Sequence, residues 1–200
     1  MIVAYHVTFG AYGFWLPNDP RGSWSQFVGA WELFRVGGKA TKTTESRSVA
    51  ARPHDREKRL GTKHALKNPP VNFTPDQVLA IGKGFGDYAS KSGLVVLACA
   101  VLADHVHLAF ARNRLDPEQV VNKLKGSATT RLVNAGIHPF QHQKPRDGSP
   151  PKCFAQGQWV VFLDPDDVIR SIEYVENNPV KEGLPRQMWD FVQPWKPNEM

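Results

Sequence analysis

Leu94-Val95-Val96-Leu97-Ala98-Cys99-Ala100-Val101 leads through Leu102-Ala103-Asp104 into His105-Val106-His107-Leu108-Ala109-Phe110-Ala111-Arg112. The first run is almost wholly apolar and has the length of a central strand. Ala103-Asp104 turns the chain, and His105 to Arg112 returns as the paired strand. Strand side chains alternate between faces, so His105 and His107 point the same way. Val106, Leu108 and Phe110 point the other way, toward a core. Two imidazoles on the polar face of an apolar strand are placed to clamp a metal ion. Partly exposed structural histidines are the plainer alternative.

Outward from this hairpin, three helices announce themselves by their starts. Thr74-Pro75-Asp76-Gln77 offers an N-cap, a proline at the first helical position and an acid in the first turn. Val78, Ile81, Phe85, Tyr88 and Ala89 follow at helical spacing, and Gly93 closes the helix. Asp116-Pro117-Glu118 opens a second helix with Val120, Val121, Leu124, Ala128, Leu132 and Val133 apolar and Gly136 at its end. Asp164-Pro165-Asp166-Asp167 opens a third, expected to reach about Asn177 and stop at Pro179. Ile2 to Phe9 and Trp159 to Leu163 read as further strands. The order is strand, insertion, helix, strand, strand, helix, strand, helix. It predicts an α+β sandwich of ferredoxin-like type with an antiparallel sheet.

Two hundred residues suit one domain, 1–200, with an irregular insertion at 17–73 and a tail at 184–200. The insertion holds Pro17, Pro20, Pro53, Pro69 and Pro70 and a charged run from Arg52 to Arg59. Arg56 to Leu66 within it suits a short helix. Twenty-five Lys and Arg against 19 Asp and Glu give a net charge of +6, which suggests a polyanionic partner. Cys99 and Cys153 have no recurring spacing, so neither a zinc motif nor a disulfide framework is indicated. No run has the length of a membrane span, and nothing at the N-terminus resembles a leader. A cytoplasmic, nucleoid-associated protein is expected, with no membrane partner.

The third helix carries the second chemical clue. Val168, Ile169, Ile172 and Val175 are read as its apolar side, with Tyr174 off that stripe. Asn178, four residues on, stacks over Tyr174 at the last turn or cap. The plain alternatives are a packing tyrosine at the rim and an asparagine that ends a helix. His138 and His142, in a Pro/Gln loop, read as surface residues. His6, His54 and His64 show no usable pattern. Trp15, Trp24, Trp31, Trp159, Trp189 and Trp195 are open to base stacking or to core packing.

Taken together, His105-Val106-His107 and Tyr174-Val175-Glu176-Asn177-Asn178-Pro179-Val180-Lys181-Glu182-Gly183 resemble the motifs of the single-tyrosine HUH transposases. The resemblance is closer to the REP-associated tyrosine transposases. The opening Tyr5-His6-Val7-Thr8-Phe9, with Tyr12-Gly13 and Trp15-Leu16, is similar to the start of these proteins. The resemblance implies a metal-dependent single-stranded DNA endonuclease and strand transferase acting near a hairpin. It implies Tyr174 as the nucleophile that forms a 5′-phosphotyrosine bond and frees a 3′-OH. It implies His105, His107 and Asn178 as ligands of Mg²⁺ or Mn²⁺. Lys123, Lys125, Arg131, Lys181, Arg56 and Arg59 are then expected to hold DNA phosphates. Relatives often carry Pro-Asn or Pro-Asp before the first histidine. Ala103-Asp104 stands there in this chain, which sets Asp104 beside the expected ion. Monomer and homodimer both stay open, and a silent hairpin-binding module is the alternative function.

Overall fold

β1 (Ala4–Gly10) alternates Tyr5, Val7 and Phe9 against Ala4, His6 and Thr8, and both sets face helices. That two-sided burial organises the whole molecule. The computed structural model describes residues 1–14, 16, 31–38, 55–143 and 148–196. After β1 come two short helices, α1 (Trp31–Gly37) and α2 (Arg56–His64), packed on each other. Then follow α3 (Pro75–Ser92), β2 (Val96–Val101), β3 (His105–Ala111), α4 (Pro117–Asn134), β4 (Trp159–Leu163) and α5 (Pro165–Lys181).

The strands form one antiparallel sheet in the order β2-β3-β1-β4. This is the expected α+β arrangement, with each βαβ crossover placing its helix on the same face. α3 and α4 pack together there, over Tyr5, Val7, Phe9, Cys99, Val101, Val106, Leu108 and Phe110. Gly84 lets them meet: a Cβ on it would stand 2.7 Å from the Cα of Ala128. The opposite face presents Ala4, Ala98, Ala100 and Ala109 to Val168 and Val175 of α5. Alanines on the sheet let a helix approach closely.

The helix starts behave as their sequences require. Thr74 forms a capping box with Gln77, and Asp164 accepts from the backbone N–H groups of Asp166 and Asp167. Gly93 ends α3 at φ 69°, where a side chain would be strained.

α5 departs from expectation in two ways. It does not stop before Pro179 but runs through it to Lys181. Pro179 has no N–H to give, yet it is buried with Val175 and Asn178 against the sheet, and that packing offsets the lost bond. Ile169 was expected on the apolar side and is instead 58% exposed, with Ser171 taking the inward position. The helical period places 168, 171 and 175 along one stripe and leaves 169 about a third of a turn away.

Within the expected insertion, α2 matches the short-helix expectation, whereas α1 has no counterpart in it. Pro17, Pro20, Arg52, Pro53, His54, Trp15 and Trp24 lie outside the described residues. Val71 and Phe73 return the chain to the core, where their N–H groups donate to Tyr12 and Ala103 carbonyls. The stretch 138–157 is less of a surface loop than its polarity suggests. His138, Phe140, Cys153 and Phe154 are buried, so the surface expectation is corrected for His138 while His142 stays exposed.

The tail packs back as a strap around the β2 edge. Gln187 pairs with both the N–H and the carbonyl of Val101, and Gln193 N–H donates to Val96. Trp189 sits on Gly82, where any Cβ would overlap its ring, and Phe191 sits against Gly86. Trp195 reaches the α5-side cluster. Among the described residues no helix is long and apolar enough to cross a membrane.

Candidate active site

Strand alternation delivers His105 and His107 to the α5 face of β3, as their spacing requires. Their rings are edge to face, with centroids 4.9 Å apart. The β1–β3 register then sets Thr8 opposite His107 and Ala109 opposite His6. His107 Nδ1 consequently lies 3.0 Å from Thr8 Oγ1 and 3.1 Å from His6 Nε2. His105 Nδ1 lies 2.7 Å from Asp104 Oδ1, and its ring stacks on Phe14.

α5 brings the other half. The Tyr174 ring centroid is 5.5 Å from that of His107 and 5.6 Å from that of His6. Tyr174 remains 44% exposed. Lys181 places its ammonium 4.4 Å from the centre of the Tyr174 ring, a cation–π contact. Asn178 is buried below, and its Nδ2 donates to the Tyr174 carbonyl at 2.8 Å.

Burial governs the charge states here. His107 is held well below the usual histidine range by desolvation first, then by the repulsion its charged form would meet from His105, His6 and Lys181. Burial lowers His6 to about 4. Both are therefore neutral at neutral pH, the form in which an imidazole nitrogen can bind a cation.

The donor chemistry fits a divalent ion. His105 and His107 each turn Nδ1 to a protein oxygen or nitrogen, as ligating histidines do, so Nε2 is the atom with which each could hold an ion. Asn178 uses its amide nitrogen internally, so its oxygen is the atom that could ligate an ion. Among the described residues no three His, Cys, Asp or Glu side chains form a metal cage. Such an ion would therefore depend on the amide and on oxygens from water or substrate to fill its coordination.

The expected phosphate contacts separate on inspection. Lys181 belongs to the site. Lys125 does not: it is 8% exposed, its Nζ donates to the carbonyls of Ala155 and Gly157, and it lies over Phe9. Desolvation lowers it to about 8. It anchors the 155–157 segment to α4, so its assignment as a phosphate contact is corrected. Arg131 forms a two-bond ion pair with Asp87 of α3, across the sheet from Tyr174. Lys123 is exposed on the same helix layer, and Arg56 and Arg59 lie on α2.

Sequence reasoning missed His6 and Thr8. The available signal was the alternation of β1, which puts Ala4, His6 and Thr8 on the face opposite Tyr5, Val7 and Phe9. Their partner across the sheet required the strand register.

No family model matches the chain, and no curated protein matches it. Several solved structures are similar, two of them as follows. One is a REP-associated tyrosine transposase bound to a REP hairpin, at 10% identity and a TM-score of 0.46, covering 92% of this chain and 70% of that one. The other is a candidate transposase from Deinococcus radiodurans R1, at 14% identity and a TM-score of 0.42, covering 88% and 91%.

Proposed function

We propose that this protein is a transposase-like enzyme that nicks and rejoins single-stranded DNA near a hairpin, with Tyr174 as nucleophile. One observation carries the reading: an exposed tyrosine, from a helix, has its ring 5.5 Å from that of His107, whose Nδ1, like that of His105, is turned to a protein partner. The motif resemblance and the basic balance of the chain support it.

His105, His107 and Asn178 would hold Mg²⁺ or Mn²⁺, which when bound supplies Lewis-acid polarisation of a phosphate. Tyr174 Oη forms a bond to phosphorus as the bond to the 3′ oxygen breaks. The phenol proton leaves to solvent and the 3′ oxygen takes one up. The reverse step, by attack of a 3′-OH, releases Tyr174 and reseals a strand. A phenol is mostly protonated at neutral pH, so activation needs nearby positive charge. Lys181, on the face of the ring, is placed to provide it and to meet the phosphate.

The test is incubation with Mn²⁺ and end-labelled hairpin-bearing single strands, followed by denaturing electrophoresis. A covalent protein–DNA adduct that disappears in Tyr174→Phe is the expected result. Binding without cleavage across a hairpin library would establish the silent module instead. Cleavage that survives Tyr174→Phe would establish a water-using phosphoesterase.

A further inference from the structure

We infer that His6 is the positioning residue that fixes the tautomer of His107, so that His107 presents an unprotonated Nε2 outward. The inference rests on the proposed function for its purpose but on geometry for its substance.

A neutral imidazole has one N–H and one in-plane lone pair. His107 Nδ1 has two partners at hydrogen-bond distance, Thr8 Oγ1 and His6 Nε2. If Nδ1 carried the lone pair, two hydrogens would compete for it, or the His6 lone pair would face it at 3.1 Å. The first leaves one hydrogen poorly accepted and the second sets two lone pairs against each other, and each is costly in a part-buried setting. If Nδ1 carries the proton, that single hydrogen lies between two acceptors, an oxygen and a nitrogen, and no lone pairs collide. Thr8 by itself cannot make this choice, because a hydroxyl both donates and accepts. In its Nδ1–H tautomer His6 offers only a lone pair at Nε2, and that removes the ambiguity. Its ring also stands against Tyr174, so one side chain braces the ligand histidine and the nucleophile together.

The consequence is a division of labour between the two histidines of β3. Asp104 orients His105 through its Nδ1, and His6 with Thr8 does the same for His107. Orienting partners of this kind typically change metal affinity by about tenfold or more when removed.

The first measurement needs no variant. Long-range ¹H–¹⁵N correlation spectra of the metal-free protein should show His107 protonated on Nδ1 and bare on Nε2. A proton on Nε2 would overturn the inference. The second is Mn²⁺ affinity, read by the free-ion EPR signal in the presence of hairpin single strands. His6→Phe should weaken it about tenfold. His6→Gln, whose amide oxygen reaches the same point, should recover most of the loss, and a merely space-filling role would show the opposite ranking. Equal affinity in wild type and His6→Phe would also overturn the inference. Failure of the wild-type protein to bind Mn²⁺ would overturn the proposed metal site, while the tautomer spectrum would still decide the role of His6.

Discussion

On the face covered by α3 and α4, the sheet presents Tyr5, Val7, Phe9, Val106, Leu108 and Phe110. On the face covered by α5 it presents Ala4, Ala98, Ala100 and Ala109, continued by His6, Thr8, His105 and His107. The strands are the same; only the parity of the residues differs. Large side chains on one face fill the space under two helices and supply most of the burial. Small ones on the other supply little, and instead let one helix come down close enough to put Tyr174 against His107. The lesson is that stability and chemistry are separated by one position along each strand.

The sharpest way to break that division is to cut β3 on both faces. His105→Ala should lower cleavage by about a thousandfold, roughly 4 kcal/mol of transition-state stabilisation, with little change in melting temperature. Leu108→Ala, three residues on, should lose about 2–5 kcal/mol of stability while the folded fraction cleaves normally. If both variants lose stability equally, the two faces are not specialised. Urea unfolding and single-turnover cleavage on the same samples decide this.

Acid should probe both faces together. His6, His107 and His138 are buried with their protonation disfavoured in the folded state. Between their ordinary pKa near 6.5 and their folded values, the unfolded chain binds more protons. Stability is therefore fully present above about pH 6.5 and falls as pH drops. For His6, whose folded value is about 4, the loss reaches roughly 3 kcal/mol at most by that pH. A urea midpoint that stays flat from pH 7 to 4 would contradict this.

Gly84→Ala tests the helix face alone. Its new Cβ would stand 2.7 Å from the Ala128 backbone, so α3 and α4 must separate. A loss of about 2 kcal/mol is expected, with the α5 face spared.

The cations test where DNA lies. Lys181→Ala should weaken hairpin binding by about 1 kcal/mol and reduce its salt dependence by roughly one phosphate contact. Arg131→Ala, on the opposite face, should change neither. The reverse result would move the DNA to the α3–α4 layer.

The smallest effect serves as a control. Gly126→Ala on α4 meets nothing within 4 Å, so helix propensity alone should raise stability by about 0.5–1 kcal/mol.

Much of this was legible in the chain. Thr74, Asp116 and Asp164 mark helix starts through local backbone chemistry, and local chemistry does not depend on the rest of the fold. The same holds for His105 and His107 sharing a face, because alternation is intrinsic to a strand. Legibility failed where the outcome depended on contacts distant in sequence. Pro179 reads as a stop until its burial beside Val175 is known. Lys125 reads as a surface cation until the carbonyls of Ala155 and Gly157 fold onto it. His138 reads as a loop residue until Phe140 and the surrounding core enclose it.

By itself, the sequence determined the four strands, the helices α2 to α5 and their order, the inward and outward parity of β1 and β3, and the Tyr174–Asn178 pairing along α5. Each follows from geometry within a few residues. Only the tertiary structure decided that His6 and Thr8 meet His107, that Tyr174 stands against both histidines, and that Arg131 belongs to the far side. Those facts depend on strand register and helix docking, which are set by the summed packing of the whole sheet rather than by any one segment.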